Sequence, residues 1–315
     1  MIKSKLCELL GIKYPIIQGG MAWISEAYLA AAVSNAGGVG IIAAGSANAD
    51  WVQEQIRLAK TLTAKPFGVN IMLMSPHSAE IARVAADEKI AVITTGAGDP
   101  SAYIELWLAK GIKVMPLVPS VALAKRFAKR GVTAVIAEGS EAGGHIGDIT
   151  TMALIPQVAD AVDIPVIAAG GIGDGRGIAA AFMLGAAGVQ VGTRFLVAKE
   201  CRIHQNYKNK ILKAKDIDTI ATGKRLGHPV RALKTPFTRG FLSKEHDDSV
   251  TNDELMALGS GALKLAVDGD EQNGCFMAGQ IAGLVREEQT AEEMISEMFA
   301  QAGTAFHKVG ARHDG

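Results

Sequence analysis

Eight short, continuously apolar runs, each followed by an alanine-rich stretch with helical spacing, constrain this chain more than any other feature. They are YPIIQGGM (14–21), VGIIAAG (39–45), FGVNIML (67–73), IAVITTGAG (90–98), KVMPLVPS (113–120), AVIAEG (134–139), IPVIAAGGI (164–172) and GVQVGTRFL (188–196). A strand with one wet face alternates apolar and polar residues. A strand covered by helices outside and packed against a barrel interior reads as an unbroken apolar run. Eight strand-then-helix units predict an α/β fold, a (β/α)8 TIM barrel. Ser25 and Ser120 stand where helices should be capped, and Gly37 and Gly131 where they should end. The rival, an open doubly wound sheet, carries GxGxxG after its first strand; here that position reads QGGM.

After residue 197 the rhythm stops. A polar, basic stretch follows, then a segment at 252–269 that reads as one helix, then the apolar GCFMAGQIAGLV and an amphipathic helix capped by Thr290. The predicted organisation is a barrel over 1–197, a smaller cap over 198–275 inserted before the last barrel helix, and a return segment with the closing helix over 276–315. Lysine plus arginine equals aspartate plus glutamate at 32 each, so net charge predicts no general attraction to nucleic acid or to an anionic membrane. Cys7, Cys201 and Cys275 are odd in number and not spaced as metal ligands, which fits a reducing compartment. No apolar run approaches the ~18 residues of a membrane span, and the amino terminus has no signal core. The expected location is cytoplasmic.

Glycine-rich turns end the seventh and eighth runs, at AAGGIGDG (168–175) and VGTRF (191–195). Barrels bind phosphate there: amides of Gly171, Ile172, Gly173, Gly192 and Thr193 can approach a dianion with no Cβ in the way. The helix expected to start near Asp174 adds the positive end of its dipole. One such turn is often only a tight connection; two at these strands point to a phosphorylated ligand without naming it. Asn70 and Glu138 interrupt apolar runs at strand carboxyl ends, where breaks in pattern are usually functional. Each taken singly also fits a structural hydrogen bond. GGMAW presents Gly20, Met21 and Ala22 to the mouth. His145 stands between glycines in EAGGHIGD, in a loop with few side chains of its own, and is the candidate acid or base. His228, in LGHPVRAL, is placed along the cap. Lys208, Lys210, Lys213 and Lys215 form a basic face that either meets an acidic partner or is simply solvated.

YPIIQGGMAW, PFGVNIML, AEGSEAGGHIG, PVIAAGGIGDG, VQVGTRF and FMAGQIAGLV, in this order over nearly the whole chain, resemble the FMN-dependent enoyl-[acyl-carrier-protein] reductase II family, FabK. That family is similar in turn to nitronate monooxygenases, which share the GGH loop and often carry arginine after the histidine where this chain has Ile146. The resemblance implies FMN held by Gly20, Met21, Ala22, Asn70, Glu138, Gly143, Gly144, Gly171, Gly173, Gly192, Thr193, Met277 and Gln280. It implies NADH or NADPH as electron donor, a trans-2-enoyl thioester on an acyl carrier protein as substrate, and His145 as proton donor. It also implies a homodimer and a monovalent cation, potassium or ammonium, with loops near Ser75 and Gly98 as its place. The alternative activity is flavin-dependent oxidation of alkyl nitronates, with His145 as base.

Overall fold

The computed structural model describes residues 4–310. The barrel strands are β1 (Ile16–Gln18), β2 (Gly40–Ala43), β3 (Phe67–Met72), β4 (Val92–Gly96), β5 (Lys113–Val118) and β6 (Val135–Glu138), then, after a two-residue strand β7 (Gly144–His145), β8 (Val166–Ala169) and β9 (Gly188–Val191). All eight are parallel, in the order β1-β9-β8-β6-β5-β4-β3-β2. A parallel bridge between Ile17 and Val39 joins β1 to β2 and closes the ring. The fold is a (β/α)8 barrel. Each strand is shorter than the apolar run that announced it, because the glycine- and alanine-rich carboxyl ends leave the sheet as turns at the mouth.

Successive side chains of a strand point to opposite faces, and the burial follows that rule. Val39, Ile41, Val92, Met115, Ala134, Ile136, Ile167 and Ala169 fill the barrel interior with Ile17, above Leu6 and Leu10 of the helix Lys5–Leu10 that plugs its floor. Their neighbours one step along, such as Ile42, Ile93, Val135 and Ala168, face the helices. Contact between the layers is close at Gly40, where an added Cβ would lie 1.9 Å from the Ala30 carbonyl oxygen.

Ser120 caps its helix as the sequence predicts, accepting from the Leu123 amide. Ser25 does not. Glu26 is the N-cap of Ala27–Asn35, and the Ser25 hydroxyl instead takes Gln18 Nε2 at 2.8 Å and the Met21 amide at 3.0 Å. The physical reason is Gln18, a fully buried amide that needs a polar partner more than the helix needs a cap.

Between β9 and the last helix the chain adds helix Gln205–Lys213, strands β10 (Thr219–Thr222) and β11 (Val230–Leu233), and helices Pro236–Glu245, Asn252–Gly259 and Ala262–Val267. The stretch expected as one helix is thus two, broken where Gly261 turns left-handed at φ 74°. β11 pairs antiparallel with β10 on one side and with β7 on the other. The final helix, Ala291–Gly310, starts with a reciprocal cap between Thr290 and Glu293. It packs against helices Gly175–Met183 and Ala27–Asn35, completing the outer ring as its eighth member. Among the described residues no helix is long and apolar enough to cross a membrane.

Two basic residues differ from expectation. Lys208 is buried, its ammonium held by the Ala198 carbonyl at 2.8 Å and Glu288 at 3.4 Å, so it belongs to the cap's interior and not to a solvated face. Lys210 pairs with Glu271 at 3.3 Å and lies over the Phe276 ring. Helical spacing alone cannot tell an exposed lysine from one whose stem is buried and whose head is paired. All three cysteines are free, and burial pushes the Cys201 thiol up to about 11 and the Cys275 thiol up to about 12.

Candidate ligand site at the barrel mouth

Counting two residues up each strand from the apolar interior layer reaches Thr94 above Val92, Glu138 above Ile136 and Gln190 above Gly188, with Asn70 two above Gly68. The barrel interior therefore changes from apolar to polar at its carboxyl end. Asn70 Nδ2 donates to Thr94 Oγ1 at 2.9 Å, leaving Asn70 Oδ1 without a donor among the described residues. The Glu138 carboxyl and the Gln190 amide have no side-chain hydrogen bond to any described residue. Burial pushes the Glu138 carboxyl up to about 8, so it is largely protonated at neutral pH. Polar groups collected at one end of a barrel without protein partners mark a candidate ligand site.

Unpaired amides also mark the turns after β8 and β9. Among the described residues no acceptor faces the amides of Gly171, Ile172, Gly173, Gly192 or Thr193. β8 and β9 are adjacent, with Ala169 level with Gln190, so the two turns leave the sheet side by side. Both touch one segment: the Gly279 amide donates to Thr193 Oγ1 at 2.9 Å, and a Cβ on Gly173 would meet Ile281 at 3.0 Å. Thr193 Oγ1 accepts from Gly279, and its own proton has no acceptor among the described residues.

The expected contribution of the next helix is not available. Asp174 caps Gly175–Met183 and accepts from the Arg176 and Gly177 amides, while Gln301 takes the Gly175 amide. Its carboxylate, paired with Arg176, already occupies the positive end of the dipole.

At β1, Gly20 lies so close to Asn70 that a Cβ there would be 2.4 Å from Asn70 Cβ. Met21 reaches across to the β9 turn, its sulfur 3.8 Å from where a Gly192 Cβ would sit, and Ala22 packs against Gly45. The buried Gln18–Ser25 pair ties the two ends of this loop together, and within it Trp23 adopts a left-handed conformation at φ 64°, 43% exposed.

Gly143 and Gly144 lead into His145, and a Cβ on Gly143 would come within 2.7 Å of the Ala278 and Gly279 backbone. Met277 Sδ lies beside Gly144, and the Gln280 amide donates to the Glu141 carbonyl at 2.9 Å, leaving the Gln280 side chain exposed. The GGH loop and the FMAGQ segment are thus zipped together. His145 is held below the ordinary imidazole value, by partial desolvation first and then by nearby His228, although the ring remains exposed at the surface. The 73–77 and 97–99 loops touch as well, with Gly98 against Leu73 and Ser75 buried between its neighbours.

Thr94, Gln190 and Glu141 were not singled out from sequence. Glu141 accepts from the Thr151 amide and hydroxyl and lies against Gly171, so it ties the loop after β6 to the turn after β8. The alternation of interior positions would have found Thr94 and Gln190; nothing local marks Glu141.

The mouth of this (β/α)8 barrel thus combines a polar inner layer with two turns, after β8 and β9, whose amides have no acceptor among the described residues. The chain belongs to the nitronate monooxygenase family, whose model matches residues 3–89 and 79–301. Its backbone superposes on FabK from Thermotoga maritima with a TM-score of 0.96 at 44% identity, over 99% of this chain and 100% of that one. It is 33% identical to (3aS,4S,5R,7aS)-5-hydroxy-7a-methyl-1-oxo-octahydro-1H-indene-4-carboxyl-CoA dehydrogenase of Rhodococcus jostii, over 98% of both chains. A probable nitronate monooxygenase of Staphylococcus saprophyticus is 32% identical over 98% of this chain and 99% of its own. These relatives are all oxidoreductases.

Proposed function

We propose that this chain is an FMN-dependent reductase of trans-2-enoyl thioesters, using NADH or NADPH. What carries this is the match to FabK along the whole chain, together with amide-lined turns and an unpaired polar layer that suit a flavin mononucleotide. The phosphate would be held by the amides of Gly171, Gly173, Gly192 and Thr193, and the ring and ribityl chain by Gly20, Met21, Ala22, Asn70, Glu138, Gly143, Gly144, Met277 and Gln280. When bound, FMN supplies the hydride chemistry between nicotinamide and the β-carbon of the enoyl thioester. Residues 198–275 cover the mouth, and His145 protonates the α-carbon. The proposal includes an acyl carrier protein as the substrate's carrier, a cytoplasmic homodimer, and a monovalent cation, potassium or ammonium, held by carbonyls of the loops around Ser75 and Gly98. Nitronate oxidation is the second activity the family allows.

One experiment separates them. Purified protein should be yellow, lose its visible band when titrated with NADH or NADPH without oxygen, and regain it on addition of crotonyl-CoA. Recovery with oxygen but not with crotonyl-CoA, together with turnover of an alkyl nitronate, would replace the reductase by the monooxygenase.

Glu138 gives this site a pH signature. Its folded value, about 8, lies above the ordinary carboxylate value of 4.5. Between these the unfolded chain has released a proton that the folded one keeps, so stability is full below about 4.5 and falls as pH rises toward 8. Flavin-free Glu138→Gln protein should lack that decline. Denaturant unfolding between about pH 5 and pH 8 should show a wild-type loss on the order of 3 kcal/mol, and equal slopes in both proteins would refute an unpaired acid.

A further inference from the structure

We propose that Arg225 and Glu245, both in the cap and neither bonded to His145, are positioning residues that fix where the His145 ring stands. The inference rests on the reductase reading. His145 lies in the two-residue strand β7, and its exposed ring makes no hydrogen bond to any described residue. A catalytic imidazole is ordinarily oriented by a partner on its second nitrogen. With none among the described residues, the ring stands where its backbone puts it.

That backbone is held from the cap. β7 pairs with β11, His145 opposite Val230 and Gly144 opposite Arg231. The Ile146 amide donates to the Pro229 carbonyl at 3.0 Å, and Arg231 Nε donates to the Ser140 carbonyl at 3.0 Å. The loop carrying His145 is thus tied on both flanks to one short segment, 229–231. In that sheet the other neighbour of β11 is β10, and a two-stranded ribbon is marginal by itself. Its tip needs an anchor.

Arg225 and Glu245 supply one. The turn from β10 to β11 is closed on itself: the Leu226 and His228 amides donate to the Gly223 carbonyl at 3.2 and 3.3 Å, and the Gly227 amide to the Lys224 carbonyl at 3.0 Å. This compact turn runs directly into Pro229. Glu245, buried at the end of helix Pro236–Glu245, accepts from the Gly223 amide at 3.0 Å and the Arg225 amide at 2.9 Å. The Arg225 guanidinium in turn donates to the carbonyls of Glu245 at 3.2 Å, Asp247 at 3.1 Å and Val250, and to Asn252 Oδ1 at 3.0 Å. Carbonyls at a helix end have no intrahelical donor, and one guanidinium fork serves several of them. The clasp is reciprocal: Glu245 takes amides of the turn, and Arg225 of the turn takes carbonyls around Glu245. Losing either partner leaves polar groups unpaired and frees the turn that precedes Pro229.

The test uses flavin-loaded wild type, Arg225→Ala, Glu245→Gln and Arg225→Lys, which keeps the charge and loses the fork should Arg225→Ala not fold. Reoxidation by crotonyl-CoA should slow by at least about tenfold, within the ~10²-fold that a remote 1 Å misplacement can cost. Flavin binding and reduction by NAD(P)H should stay within about twofold of wild type, because the clasp touches neither phosphate turn. In a His145→Ala background the same substitutions should add no further loss, since the group they position is gone. Independently of turnover, hydrogen exchange of the Ile146 amide should quicken in Arg225→Ala while that of Leu233, at the far end of β11, should not. Unchanged reoxidation in the single variants, additive losses in the His145→Ala background, or equal quickening at Ile146 and Leu233 each overturn the proposal. Wild type that reduces no enoyl thioester overturns the parent reading instead, and exchange then decides the clasp: an unchanged rate at Ile146 sinks it.

Discussion

A Gly192→Asp variant should purify folded but without yellow colour. Gly192 has φ −109°, a conformation any residue adopts, and the nearest atom to an added Cβ is Met21 Sδ at 3.8 Å. The substitution therefore introduces neither strain nor a clash. It does place a carboxylate among amides of Gly192 and Thr193 that have no acceptor within the described chain. An aspartate there would satisfy those donors itself and repel a phosphate dianion. Flavin affinity should fall by at least about 100-fold, roughly 2.8 kcal/mol, while flavin-free Tm stays within a few degrees of wild type. Gly192→Ser is the control, since its hydroxyl carries no charge and should keep the cofactor. If Gly192→Asp binds flavin as wild type does, the phosphate lies elsewhere.

His145→Ala should show the complementary behaviour: yellow, reducible by NAD(P)H, and slowed in the thioester half-reaction by about 10²-fold or more. The difference follows from position. His145 lies in the two-residue strand that pairs with β11, whereas the turns after β8 and β9 leave the barrel sheet itself. Because its pKa is lowered, the protonated form grows only as pH falls below the usual imidazole range. Wild-type turnover of the enoyl thioester should rise toward acid pH, and the variant should lose that limb. Stopped-flow reoxidation by crotonyl-CoA across pH measures both; equal rates in the two proteins would remove His145 from the chemistry.

The fold was legible because the barrel needs a repeated pattern, and eight repeats of apolar run and alanine-rich helix leave little choice of architecture. The turns after β8 and β9 were legible for a local reason, since glycine clusters at strand ends are visible one by one. Other features depend on which residues meet across the fold. Ser25 reads as a helix cap until Gln18 is seen buried beside it, and Asp174 reads as the start of an anion-binding helix until its carboxylate is seen filling that end itself. Lys208 has the sequence context of a surface lysine and the surroundings of a core ion. Gln190 sits in GVQVG, one polar residue in an apolar run like Asn70, and strand alternation alone would have put both in the polar inner layer.

The helix Ala291–Gly310 also makes ring closure a long-range event. It fills the space between the helices Ala27–Asn35 and Gly175–Met183, and its Phe299 ring stacks on Tyr14 at 4.8 Å. Segments far apart along the chain thus share one packed face, and the loop that joins them must be closed before that packing can stabilise the barrel.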